Sequence, residues 1–157
     1  EHLNCYSMRT IFNQIDRREI ISRIQLLNEH SRNQWGRMNV YQMVKHNVIW
    51  SEWILGKDGH STKQTIMGKL FGRKSLQRMI RDFKPLPKYV PTSSRFKIRE
   101  KEGSLDDVKQ QWRDLVLELE DFDNDNFLHD FFGVMTKGEV GILAYKHFDH
   151  HLRQFGA

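Results

Sequence analysis

The sequence has little cysteine, little proline and no long apolar run. Its 157 residues include one cysteine, Cys5, which cannot form an internal disulfide, so we expect a reducing, cytoplasmic location. Cys5 also lies near the end of the chain, where residues are often loosely held, which makes it a poor candidate for a catalytic thiol. No apolar run approaches the length of a membrane span and no secretory signal precedes the first predicted helix, so we expect no membrane partner.

The composition is that of one globular domain with unevenly distributed charge. Hydrophobic residues make up 38% of the chain and charged residues 29%, which argues against a disordered chain. The length predicts a single domain over residues 1–157. Residues 57–101 hold 13 Lys and Arg against 3 Asp and Glu, and the rest of the chain holds 12 against 17. The formal net charge of +5 therefore arises from a basic central segment in an otherwise acidic chain.

Apolar residues recur at helical spacing in four segments, which predicts an all-α fold. The second segment is apolar almost all round, so we expect that helix to be mostly buried. The last begins with a capping box formed by Thr136 and Glu139, and its broad apolar stripe ends at Phe155. Four helices without alternating strand patterns predict a four-helix bundle. The predicted helices span residues 16–30, 39–55, 104–121 and 136–155.

The connection between the second and third helices is long, basic and partly irregular. Residues 63–82 contain enough apolar positions for one further helix, interrupted by Gly68 and Gly72. The three prolines require extended backbone over residues 83–91, because each blocks helix at its own position and at the residue before. A long connection of this kind in a small domain often covers a functional site.

The acidic residues of the segment 121–127 are spaced like those of a calcium-binding loop. The resemblance fails at two positions, because the sixth residue is Asn126 rather than glycine and the twelfth is Phe132 rather than glutamate. We therefore expect a solvated acidic turn.

Two histidines, His147 and His151, stand four residues apart on the apolar stripe of the last helix. This spacing places them one turn apart on the same face. Buried imidazoles need hydrogen-bond partners or a ligand, and two of them at this spacing are a common metal-binding arrangement. The alternative is a pair of core histidines whose hydrogen bonds are satisfied by the protein.

A third histidine, His46, lies on the tryptophan-rich side of the second helix. Together with His147 and His151 it would form a site of three imidazoles with an open fourth position, which suits zinc or nickel. Its neighbours in helical angle are expected to wall a substrate pocket. These predicted pocket residues are Met43, Trp50 and Trp53.

The segments around these histidines resemble the DinB-like (DinB/YfiT) metalloenzyme superfamily. His46 in Val44-Lys-His-Asn47 and the pair in Lys146-His-Phe-Asp-His-His-Leu152 match the three metal-binding histidines of that superfamily, whose members are four-helix bundles. The chain is also similar, over nearly its whole length, to a bacterial branch of uncharacterised DinB-like proteins. That branch usually has His-Pro where this chain has His129-Asp. The segments that carry this closer similarity are residues 35–46, 71–73, 84–88, 131–133 and 150–155.

The resemblance implies a metal-dependent enzyme, because relatives include transferases and isomerases that use low-molecular-weight thiols such as bacillithiol and mycothiol. A hydrolase that activates water at the metal is a variant of the same hypothesis. Such thiols carry carboxylates, which basic residues at Lys69, Arg73, Lys74 and Lys84 would attract. The resemblance also implies a homodimer. The residues themselves give no indication of the oligomeric state.

Other polar residues near the predicted site have less definite roles. The sequence shows no general base, since Asp149 points away from His151 on the helix and is expected to be solvated. His129 and His150 are candidates for groups that orient a ligand imidazole, although His150 also fits a solvated position. His2, His30 and His60 are expected to be exposed.

Two other functions remain open at this point. The basic segment, with Phe71, Phe83, Tyr89 and Phe96 interleaved, has the composition of a nucleic-acid surface, although a solvated basic face is the simpler interpretation. A non-catalytic bundle with structural histidines is the third hypothesis. The sequence favours a small-molecule substrate over nucleic acid.

Overall fold

The computed structural model describes residues 7–57, 59 and 63–157, and within them the chain is mostly helical. Cys5, His2 and His60 lie outside the described residues. Two 3-10 segments, Ser94–Phe96 and Leu119–Asp121, accompany the regular elements. The helices and strands, in chain order, are α1 Gln14–Leu26, α2 Val40–Ile54, α3 Ile66–Ile80, α4 Leu105–Glu118, β1 Phe127–His129, β2 Gly133–Met135 and α5 Lys137–Gln154.

The predicted helices are present with small differences at their ends. The first helix begins after Asn13 rather than at Asp16, because the Asn13 side chain accepts hydrogen bonds from the backbone amides of Ile15 and Asp16. α2 and α5 both begin with complete capping boxes, and that of α5 is the predicted pair of Thr136 and Glu139. The all-α prediction is therefore correct in broad terms. The described residues form five α-helices, and α3 lies within residues 63–82, where one further helix was expected.

The core is built chiefly from α2, α4 and α5. α2 packs closely against α4, and α1 packs against both α4 and α5. Trp112 of α4 and Trp50 of α2 each place a ring edge-to-face with Phe148 of α5, at centroid distances of 5.6 Å. α2 is buried on most of its circumference, as its sequence predicts. Its histidine therefore lies inside the protein.

The short hairpin of β1 and β2 was not predicted. Its strands pair in antiparallel register, with Phe127 opposite Met135 and His129 opposite Gly133. Three-residue strands are too short to show a period-two pattern, so the sequence gives no signal for them. The acids at Asp121, Asp123 and Asp125 just before the hairpin are exposed, which confirms the solvated acidic turn.

Helix α3 packs on the hairpin turn through glycines. A Cβ atom added at Gly68 or Gly72 would lie 2.4 or 2.0 Å from the carbonyl oxygen of Phe131. The backbone of α3 therefore approaches the hairpin more closely than any side chain would permit. Gln64 strengthens the contact, because its amide donates a hydrogen bond of 2.9 Å to the same carbonyl oxygen.

Two buried charges of α5 attach this helix to its surroundings. Asp149 accepts hydrogen bonds of 2.8 Å from Arg23 of α1 and from Arg153, so the prediction that it is solvated is wrong. The ammonium of Lys146 donates to the backbone carbonyls of Met79, Asp82 and Lys84, which caps the end of α3. Both charges are compensated by partners on other elements, as buried charges require.

Among the described residues, no helix is both long and apolar enough to cross a membrane.

Replacing Gly72 with alanine is expected to destabilise the protein, because the new methyl group would overlap the Phe131 carbonyl oxygen. We expect a loss of about 1–3 kcal/mol in the free energy of unfolding, measured in urea. Gly138→Ala is the control, since its Cβ would meet only the Thr136 hydroxyl at 4.0 Å. That change should be neutral or stabilise by up to about 1 kcal/mol. Equal effects of the two changes would contradict the docking of α3 through glycine.

Candidate metal centre

The structure brings together the three histidines that the sequence predicts as metal ligands. His46 comes from the buried face of α2, and His147 and His151 come from successive turns of α5. One ligand atom from each lies within 4.8 Å of the others. His46 and His151 are buried and His147 is half-buried.

Hydrogen bonds orient two of the three imidazoles. Nδ1 of His46 lies 2.9 Å from the backbone oxygen of Phe96, and Nδ1 of His151 lies 3.0 Å from Oε1 of Gln154. Both partners are acceptors, so each Nδ1 carries the proton and donates. The unprotonated Nε2 of each ring is then available as a ligand. The Gln154 amide is itself fixed, because its Nε2 donates 2.8 Å to the backbone oxygen of Trp35.

The third imidazole is held by stacking. The ring of Trp50 lies parallel to that of His147, with a centroid distance of 4.2 Å and an interplanar angle of 12°. Nε2 of His147 is buried and has no hydrogen-bond partner among the described residues. A buried polar nitrogen without a partner is costly unless a ligand fills the position. The donor set and this nitrogen therefore fit a metal ion bound by one nitrogen of each ring.

The environment keeps the three rings uncharged. Burial lowers the pKa of His46 below its usual value. Burial, followed by the proximity of the other histidines, holds the pKa values of His147 and His151 well below the usual range. Neutral imidazole is the form that binds metal, so the site is in its ligating state near neutral pH.

Two of the three predicted pocket residues, Trp50 and Trp53, contact a site histidine or the support of one. Trp50 stacks on His147, and Trp53 packs edge-to-face on Phe96, the residue whose carbonyl orients His46. Met43 and Trp53 are fully buried in the core. These contacts hold the ligands in place, and a role in lining a substrate pocket stays a prediction.

The two histidines considered as orienting groups have other partners. Nδ1 of His129 accepts hydrogen bonds from the backbone amides of Phe131 and Phe132, which orders the hairpin turn. His150 packs edge-to-face on Trp35 at 5.5 Å, and burial lowers its pKa. The hydrogen bonds to the ligand imidazoles come from Gln154 and the Phe96 carbonyl, while the His150 ring packs edge-to-face on that of His151 at 5.1 Å. Gln154 lies three residues after His151, and this helical spacing could have identified it from the sequence. The Phe96 carbonyl belongs to the backbone, so no residue type in the sequence indicates it.

The connection between α3 and α4 runs alongside the histidine-bearing face of α5. Its beginning is held by Lys146, its middle reaches His150 through the backbone of Leu86, and its later part supplies the Phe96 carbonyl to His46. Between these points, the ammonium of Lys88 lies 4.4 Å from the centre of the Trp35 ring. The predicted covering segment thus borders the site and contributes one of its supports.

The predicted basic residues lie on the surface. Lys69, Arg73, Lys74 and Lys84 are exposed. Arg73 forms two hydrogen bonds with Glu139, at 2.9 and 2.6 Å, and this pairing lowers the pKa of Glu139. Glu139 precedes His147 by two turns of α5, or roughly 12 Å along the helix axis. The nucleic-acid hypothesis included Phe96 among the aromatic residues that would stack on bases. Phe96 is buried and cannot do so.

The chain matches one protein-family model over almost its whole length. The model is described as "Protein of unknown function (DUF1569)" and covers residues 9–157. No curated protein and no solved structure is significantly similar to the chain.

Without bound metal, the protein is expected to lose stability as the pH falls below about 6.5, the usual pKa of histidine. The pKa values of the three site histidines are lowered on folding. Between those lowered values and the usual one, the unfolded chain binds more protons than the folded protein, so acid favours unfolding. Urea unfolding at several pH values measures the effect.

The double variant His147→Gln with His151→Gln separates the contribution of the histidines to the pH dependence of stability from that of the carboxylates. Its unfolding free energy should depend less on pH between about 7.5 and 5.5 than that of the wild type. An unchanged pH dependence would show that the histidines are not held neutral by the fold.

Proposed function

Since the chain belongs to the DUF1569 family, a member family of the DinB-like superfamily, we propose that it is a divalent-metal-dependent enzyme. Its metal would be held by Nε2 of His46, His147 and His151. The observation that carries the proposal is the convergence of one ring nitrogen from each histidine to within 4.8 Å, with the Nε2 atom of His147 buried and unpartnered among the described residues.

Among the described residues, the ligand group consists of three neutral imidazoles and contains no carboxylate. The groups that shift the pKa values of His147 and His151 are other histidines and Gln154, and no carboxylate is among them. The full charge of a zinc or nickel ion would therefore remain to attract an anion at the fourth position. When bound, such an ion would lower the pKa of a thiol or water molecule there.

Within this proposal, the reaction is transfer involving a low-molecular-weight thiol similar to bacillithiol. The nearest carboxylate on α5, Asp149, is occupied by Arg23 and Arg153 and is not placed to act as a base. A substrate whose acidity is raised at the metal needs no such base, which supports thiol or water chemistry. Hydrolysis is the variant of the proposal that uses water.

The chain's own residues would position the reactants. Trp50 packs on the ring of His147 and Phe96 packs on that of His46, and these contacts would fix the ligand rings. The exposed Lys69, Lys74 and Lys84 would attract the carboxylates of an anionic thiol, while Arg73 is engaged by Glu139. Lys88, held over Trp35 beside His150, is a further cation closer to the site.

Protein purified without an affinity tag should contain about one equivalent of zinc or nickel, or take it up on incubation. His147→Ala should abolish this binding because it removes one of three ligands. His30→Ala, at an exposed histidine, is the control and should bind like the wild type. Mass spectrometry of metal content gives the result, and an absence of metal in all three proteins after incubation would overturn the site.

Cobalt-substituted protein then distinguishes a thiol enzyme from a bundle that only binds metal. A small thiol that reaches the fourth position should produce a thiolate-to-cobalt absorption band, absent in His147→Ala. A loaded protein that shows neither this band nor turnover with any thiol and electrophile pair would contradict the transferase and favour a non-catalytic role.

Replacing Gln154 with methionine is expected to weaken metal binding by roughly 10–100-fold, because it removes the acceptor for Nδ1 of His151. All three ligands stay in place, so binding should be weakened rather than lost. Competition with a chromophoric chelator measures the affinity. Gln25→Met, at an exposed position of α1, is the control. Equal affinities of the two variants would show that Gln154 does not orient His151.

A further inference from the structure

The outer face of α3 exposes four large apolar side chains within two turns of helix. Ile66, Met67, Leu70 and Phe71, here called the α3 ridge, have 79%, 59%, 66% and 51% of their surface exposed. Single exposed apolar residues are ordinary on protein surfaces, but a contiguous group indicates an interaction surface.

The packing of α3 fixes this exposure. The inner face of the helix consists of Gly68, Gly72 and Leu76, and the two glycines touch the Phe131 carbonyl. Any rotation that turned the ridge inward would place side chains where not even a methyl group fits. The apolar residues therefore face outward as a consequence of how the helix docks.

The surroundings of the ridge carry charge of one sign. Residues 63–81 contain six Lys and Arg and no Asp or Glu. Lys69, Lys74 and Arg78 are exposed on α3 itself, while Arg73 is paired with Glu139. An apolar strip accompanied by cations is complementary to a surface that has negative charge on its outside and an apolar layer underneath.

We infer that α3 docks the protein on an anionic lipid surface. The ridge would enter the boundary between headgroups and acyl chains, and Lys69, Lys74 and Arg78 would lie at the level of the phosphates. The expectation of no membrane partner was based on the lack of a membrane-spanning segment. Docking on the membrane surface does not require such a segment. The proposal is independent of the metal site.

Other occupants fit these observations less well. A symmetric dimer through α3 would bring the cations of both copies together, and a stable interface uses about 20–30 residues a side rather than four. Nucleic acid is bound by cations and by aromatic rings that stack on bases, and the aliphatic Ile66, Met67 and Leu70 do neither. A lipid surface uses both the apolar and the charged residues.

Co-sedimentation with phosphatidylcholine vesicles, with and without phosphatidylglycerol, tests the inference on the whole protein. The wild type should bind the anionic vesicles. Ile66→Ser with Leu70→Ser should lower the partition coefficient by about tenfold or more. Ile15→Ser with Leu26→Ser is the matched control, because these α1 residues are exposed to similar extents, 75% and 67%.

A second pair of variants examines the charge. Lys69→Gln with Lys74→Gln should also reduce binding to anionic vesicles. Lys97→Gln with Arg99→Gln makes the same change in net charge at exposed positions outside α3, and should reduce binding less. Circular dichroism of each variant establishes that it is folded.

Several results would overturn the inference. One is an absence of binding by the wild type, and another is an equal loss in the ridge variant and its α1 control. Light scattering without lipid would identify the ridge as a contact between copies if Ile66→Ser with Leu70→Ser converted a dimer into a monomer. A loss of oligonucleotide binding in the ridge variant, without any lipid binding by the wild type, would assign the face to nucleic acid.

Discussion

The candidate site depends on holding three uncharged imidazoles close together inside a helical protein. His46, His147 and His151 place their ligand atoms within 4.8 Å of one another, and burial together with mutual repulsion opposes protonation. The supports of these rings come from many parts of the chain. Phe96 belongs to the connection before α4, and Gln154 links the end of α5 to the loop at Trp35 that precedes α2. The hydrogen bonds that orient the ligands therefore connect α2 and α5 to two non-helical segments, the connection before α4 and the loop before α2.

The buried charged groups on α5 form ion pairs and hydrogen bonds between elements, whereas the imidazoles form the candidate metal site. Asp149 is neutralised by Arg23 and Arg153, and Lys146 is surrounded by backbone carbonyls at the end of α3. Each charge has partners of its own, so neither contributes to the metal ligand set. This separation leaves a site of neutral donors in which a bound cation would keep its full charge, the property on which the proposed chemistry rests.

Much of the candidate site could be predicted from the sequence, because its ligands obey helical periodicity. His147 and His151 share a face by spacing alone, and His46 lies on the buried side of an almost wholly apolar helix. Asp149 was misjudged because a helical angle gives a direction relative to His151 and does not reveal that Arg23 lies there. The hairpin was missed because its strands are three residues long, below the length at which alternation is visible.

The sequence by itself determined which long segments are helices, where the capping box begins α5, and which side chains can offer nitrogen to a metal. These properties depend on residues close together in the chain. Only the tertiary structure decided that the Phe96 carbonyl and Gln154 orient the ligands. It also decided that α3 turns its glycines towards the hairpin and its apolar residues outward. These features depend on contacts between distant residues, and local periodicity carries no information about which distant backbone a helix face will meet.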